Sequence, residues 1–176
     1  MNSKFRFLVA ALFAGGLFSI TSPIMADTQA PGAASPNLGA TPMTDTKTFQ
    51  DFGGREGLVK LMDDFMNNLV ADPRTKPFFD TPKKEFIKAM LVEQLCEIMN
   101  GGCKYSGRDM ATAHANMKVN RASFNALVED LQVSMDKFKI PFSSQNKLLA
   151  KLAPMYRAIE TTKGDAVPPK DVQTAK

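Results

Sequence analysis

The 176-residue chain has no Trp, two Tyr, two Cys and one His. The single His excludes any mechanism that needs two imidazoles from one chain, such as a His-rich zinc site. Cys96 and Cys103 are too few for a disulfide-dense scaffold, and they form neither a C-x-x-C pair nor a Cys/His zinc spacing. With 11 Gly and 11 Pro there is no collagen-like composition. Charge of one sign is also scarce. The 22 Lys and Arg face 18 Asp and Glu, and a net charge of +4 gives no basis for nucleic acid as a partner. There is no internal repeat, no phosphate-binding glycine loop and no nucleophile–base arrangement. What is present, 44% hydrophobic and 23% charged residues, is ordinary for one soluble domain.

The ends read as lying outside that domain. Lys4 and Arg6 precede the uncharged apolar run FLVAALFAGGLFSI at residues 7–20, and Ala26 ends the segment. A helix of that run spans about 21 Å, short of the roughly 30 Å hydrocarbon core. Residues 1–26 therefore read as a secretory signal peptide cut after Ala26, which implies a periplasmic or secreted protein and membrane contact only during export. Residues 27–47 hold three Pro and two Gly, with only Leu38 and Met43 as larger apolar residues. That composition predicts a disordered linker. Residues 163–176 read as a flexible tail, leaving 48–162 as the folded domain.

The core pattern is helical. Leu58, Leu61, Met62, Phe65 and Leu69 recur at three- and four-residue steps within 56–71, before Asp72-Pro73 stops the helix. Residues 74–79 form a short turn or helix. Pro82 suits a first helical position, and Ile87, Met90, Leu91, Gln94, Leu95 and Ile98 make a stripe that ends at Asn100-Gly101-Gly102. A short helix carries Met110, His114 and Met117. Residues 121–138 form a long helix with Asn120 as its cap. Ile140-Pro141 breaks the chain, and Pro154 predicts a kink in a last helix over 143–159. No useful stretch alternates with period two, so an all-α fold is expected.

Few residues could carry chemistry. His114 shares an apolar helix face with Met110 and Met117. It is either a packed imidazole satisfied by one hydrogen bond or a metal ligand. Phe65, Phe78, Phe79, Phe86, Phe124, Phe138 and Phe142 are either packing or the walls of a flat macrocycle, which needs apolar faces, an axial ligand and cations at its rim. A haem here would be non-covalent, because there is no C-x-x-C-H motif. Asp63-Asp64 and the Glu93/Glu97 pair read as solvated helix surface. Cys96 and Cys103 are either free thiols or a disulfide. Export favours the bridge, and seven residues across a helix end permit Cα atoms within about 6 Å.

Several strings together resemble the group I truncated haemoglobins, a shortened globin with a two-over-two helical sandwich. They are Phe52-Gly53-Gly54-Arg55-Glu56-Gly57, Asp64-Phe65, Leu69-Val70-Ala71-Asp72-Pro73-Arg74 and Pro77-Phe78-Phe79. Leu95-Cys96 and the loop Gly101-Gly102-Cys103-Lys104-Tyr105-Ser106-Gly107-Arg108-Asp109-Met110 follow, then Ala113-His114. The resemblance covers residues 48–160 and implies haem b as cofactor, with His114 as the proximal ligand through Nε2. It places Phe79 on the haem near the short C helix. Phe65 and Met66 lie over the distal side, Ile87 and Leu91 at distal positions of the next helix. Tyr105 and Arg108 fall near the haem edge, with Leu95 and Met110 completing the pocket.

Many members of that family have Tyr at the Met66 position and Gln at the Leu91 position, both donors to the gas ligand. Here Met66, Ile87 and Leu91 are apolar, and Gln94 is the nearest polar residue by spacing. Oxygen is therefore expected to leave faster than from relatives with that pair, unless Met66 itself ligates the iron. The resemblance implies a monomeric haem protein that binds O₂, NO or CO reversibly, with oxygen transport among its roles and an unidentified reductase as partner. Two other readings are an enzyme that turns over NO with O₂ or reduces nitrite, and a non-catalytic haem carrier or redox module.

Overall fold

The structure, a computed structural model, describes residues 33–161. The expected signal peptide, the first part of the linker and the tail lie outside the described residues. Within them every regular element is a helix, with no strand. The helices are α1 (Lys47–Asp51), α2 (Gly54–Ala71), α3 (Lys76–Phe79), α4 (Lys84–Ile98), α5 (Met110–His114), α6 (Arg121–Lys137), α7 (Phe142–Leu152) and α8 (Tyr156–Ile159). None is long and apolar enough to cross a membrane.

Local chemistry sets the boundaries. Gly53 and Gly54 hold φ of 76° and 65°, a left-handed corner open to glycine, and this lets α1 turn directly into α2. Asn120 and Ser123 form a reciprocal cap at the start of α6, where the side chain of Asn120 accepts from the backbone of Ser123 at 2.9 Å. Pro154 does interrupt the last helix. It sits in a single 3₁₀ turn, Ala153–Met155, between α7 and α8. Pro82 is not the first helical residue; it stands in the turn before α4, which starts at Lys84.

The core lies where α2 meets both α4 and α6, and α6 packs on α7. Leu58, Leu61, Met62, Phe65 and Leu69 of α2 are buried there with Val92, Leu95 and Ile98 of α4, Leu131 and Met135 of α6, and Leu148 of α7. Polar pairs fix the α2–α6 register: Asn68 donates to Ser134 Oγ at 2.9 Å, Ser134 to Asp64 at 3.0 Å, and Lys137 pairs with Asp64.

Two expectations need correction. Residues 33–46 do not behave as a disordered linker but form a strap on the domain. Leu38 is 1% exposed in the core, Met43 N–H donates to the Ile98 carbonyl at 2.7 Å, and Ser35 N–H donates to Glu97 at 2.8 Å. A low apolar content did not prevent ordering, because one Leu seats fully and the backbone finds partners. Glu97 is likewise not solvated surface. It is 4% exposed and accepts from the backbone of Ser35 and Tyr105 (2.7 Å) and from Lys104 Nζ at 3.3 Å. Its neighbour in the pair, Glu93, accepts from the backbone and hydroxyl of Ser106.

Burial acts to raise the Glu97 carboxyl, but the N–H groups of Tyr105 and Ser35 and the Lys104 ammonium outweigh it and hold it below the ordinary 4.5. The resulting stabilisation is complete above that value and is lost as the pH falls through the folded-state value. Glu97→Gln is expected to cost about 1–3 kcal/mol at neutral pH. Denaturant titrations on acidification are expected to show a steeper loss for the parent than for the variant; parallel curves would contradict this.

Cys96 and Cys103 are joined as a disulfide with Cα atoms 5.7 Å apart. The bridge ties the end of α4 to the loop that leads to α5. A loop closed by cysteines separated by seven residues stabilises by about 2–3 kcal/mol through the unfolded chain. Cys96→Ser/Cys103→Ser is expected to lower the unfolding free energy by that amount. Mass spectrometry of the unreduced parent is expected to show no free thiol.

Candidate functional site

The site is built from the loop that the disulfide anchors. Asp109 caps α5 by accepting from the Thr112 N–H at 2.9 Å, and this sets the single turn that ends at His114. One turn back, the Met110 carbonyl lies 2.8 Å from His114 Nδ1. A carbonyl only accepts, so Nδ1 carries the proton and Nε2 presents its lone pair. The one hydrogen bond seen at His114 among the described residues is this one, through Nδ1. Burial, reinforced by the nearby Arg108 charge, pushes the imidazole below its ordinary pKa against the opposing pull of the Met110 carbonyl. The neutral imidazole is the ligating form.

The helix α4 packs on α2, and α5 packs on α8. Several large apolar side chains of α3, α4 and α6 are only half-buried. They are Phe79 at the end of α3, Ile87, Met90 and Leu91 on α4, and Phe124 and Leu127 on α6. Phe79, Met90, Leu91 and Leu127 pack on the core while keeping part of their surface open. A flat apolar group, edged by a cation and ligated by an imidazole, fits this donor set. The haem that the resemblance implies therefore fits the residues present.

The expected site residues fall into three groups. His114, Phe79, Ile87 and Leu91 are half-buried. Phe65 and Leu95 are buried in the core, and Met66 is buried as well, at 3%, 3% and 4% exposure. Met66 also borders an open cleft of about 460 Å³ between α2 and α4, lined by Asp63, Asn67, Val70, Lys84 and Lys88. Tyr105 is buried, and its hydroxyl donates to the Arg108 carbonyl at 2.9 Å, so it braces the loop. The Arg108 side chain is exposed, and Met110 is buried beneath α5.

Gln94 is not a donor in reserve. Its Nε2 donates to the Leu38 carbonyl at 3.2 Å and lies 3.4 Å from Met110 Sδ. Spacing alone put it one turn from Met90 and Leu91; the strap, invisible to spacing, takes up its amide. The helix α8 and the residues just after it also pack on this region. Thr161 N–H donates to the Val119 carbonyl at 3.0 Å, and the Phe124 and Tyr156 rings meet at 4.9 Å.

The profile of the bacterial-like globins matches residues 47–161. The chain belongs to the bacterial-like globin family. Among similar proteins, the group 1 truncated hemoglobin LI410 of Chlamydomonas moewusii is 28% identical over 111 residues, 62% of this chain and 65% of that protein. The group 1 truncated hemoglobin of Tetrahymena thermophila is 24% identical over 119 residues, 68% of this chain and 93% of that protein. Among solved structures, the truncated hemoglobin of Tetrahymena pyriformis in its Fe(III) form superposes with a TM-score of 0.61 at 19% identity. That match covers 64% of this globin and 97% of the Tetrahymena chain. The 2/2 hemoglobin of Synechococcus sp. PCC 7002 superposes with a TM-score of 0.59 at 17% identity, over 64% of this chain and 96% of that one. The globin thus has the two-over-two helical fold that its sequence predicted.

Proposed function

We propose that this globin holds haem b through His114 Nε2 and binds a diatomic gas, O₂, NO or CO, reversibly on the opposite side. Haem-based gas binding follows from the family. The assignment to His114 rests on one observation: its Nδ1–H is engaged by the Met110 carbonyl at 2.8 Å, which leaves the Nε2 lone pair to ligate. When bound, haem supplies iron with a coordination position for the gas. His114 orients that group, Phe79, Ile87 and Leu91 exclude water from its faces, and the exposed Arg108 answers propionate charge at its edge. The apolar character of Met66, Ile87 and Leu91 favours reversible binding over turnover, because they hold no proton for a reaction step. The Cys96–Cys103 bridge is in keeping with an oxidising, periplasmic or secreted location.

Spectra of the purified chain titrated with haem, recorded ferric, ferrous and with CO, test this reading. One haem per chain and a CO-sensitive Soret band are expected. Absence of stoichiometric haem binding would overturn it.

A further inference from the structure

The strap formed by residues 33–46 precedes the region matched by the family, yet it touches the supports of His114. Leu38 N–H donates to the Ser35 carbonyl at 3.0 Å and closes a turn, and Asn37 Nδ2 donates to the Gly107 carbonyl at 3.1 Å. Leu38 then seats in the core, and its carbonyl accepts from Gln94 Nε2. Gly39 follows at φ +79°. A Cβ there would lie 3.2 Å from Met110 Cγ and 2.8 Å from Met155 Cε, so the strap backbone runs directly against Met110. Met110 is the residue whose carbonyl accepts the hydrogen bond from His114 Nδ1–H.

These contacts form one chain from the strap, through Gln94 and Met110, to the imidazole. The helix α5 has only five residues, too few to hold a helical turn without tertiary support. What presses on its first turn therefore decides where the Met110 carbonyl points, and so which tautomer and which direction His114 adopts. Glu97 and Asn37 hold the strap in place from the side, at Ser35 N–H and the Gly107 carbonyl.

We propose that Leu38 and Gly39 are positioning residues for His114, fixing the first turn of α5 so that Nε2 is presented in a single orientation. This rests on the reading of His114 as the haem ligand. The ligand is then set partly by a segment outside the matched globin region, and haem retention depends on that segment staying docked.

The test uses the full chain with Leu38→Ala, with the milder Leu38→Val, and with Leu148→Ala as a control. Leu148 is equally buried but lies in α7, away from α5. Three readouts are taken: haem transfer to excess apomyoglobin, the iron–histidine stretching band of the ferrous protein by resonance Raman, and the ¹⁵N shifts of His114 in the haem-free protein. Leu38→Ala is expected to speed haem release about tenfold, equivalent to about 1.4 kcal/mol. It is also expected to shift or split the stretching band and to mix the two imidazole tautomers, with Leu38→Val intermediate. Leu148→Ala is expected to lower stability while leaving the band and tautomer as in the parent. The proposal is overturned if the Leu38 variants keep the parental band, tautomer and release rate, or if Leu148→Ala moves all three equally. If Leu38→Ala does not fold, Leu38→Val decides by the same readouts. A parent that takes up no haem defeats the assignment of His114, and the tautomer measurement on the haem-free chain still judges the strap.

Discussion

His114→Ala is expected to remove stoichiometric haem while leaving the chain folded. His114 is the only imidazole in the 176 residues, so no neighbour can replace it at the iron. Losing even an outer partner of a metal ligand costs about 10–100-fold in affinity, and losing the ligand itself is expected to exceed that range. The fold tolerates the change. His114 is half-buried at the end of α5, its one hydrogen bond is to the carbonyl of its own helix, and alanine is the better helix former. The measurement is a haem titration followed by absorbance, beside the far-ultraviolet dichroism of the haem-free protein. Imidazole added to His114→Gly is expected to restore a histidine-like spectrum, which separates loss of the ligand from collapse of the fold around it. A normal spectrum at one haem per chain in the alanine variant would show that the iron is held elsewhere.

Met66→Tyr is expected to slow oxygen release by about tenfold to a hundredfold. Oxygen bound to haem carries partial negative charge, and a hydroxyl donor stabilises it by about 1.5–3 kcal/mol, at 1.4 kcal/mol for each factor of ten. The parent has no such donor at Met66, Ile87 or Leu91. Met66 borders the cleft between α2 and α4, so a larger side chain has room to turn without displacing Phe65 or Leu69 from the core. Gln94→Leu is expected to change release by less than about threefold, because its amide is already spent on the Leu38 carbonyl and Met110 Sδ. Stopped-flow oxygen release decides both. A tenfold acceleration in the Gln94 variant would mean that its amide reaches the gas. A thioether–imidazole spectrum in the parent that disappears in the Met66 variant would make Met66 the sixth ligand.

The amino-acid sequence by itself determined the local features of this globin. The apolar stripe of α2, the Asn120 cap of α6, the break at Pro154 and the corner at Gly53-Gly54 follow from periodicity and backbone preference over a few residues. His114 was legible for a related reason: it is the sole imidazole, and the loop string before it is specific. What only the tertiary structure decided involves partners far apart in the chain. Leu38 and Glu97 looked like linker and surface because neither signals its partner: a place in the core for one, the N–H groups of residues 35 and 105 for the other. The direction of Gln94, set by the Leu38 carbonyl, belongs to the same class. The brace made by Tyr105 and the tautomer of His114 use carbonyls three and four residues away, whose directions no periodicity announces. Packing depends on the three-dimensional fit of distant surfaces rather than on the character of any one stretch.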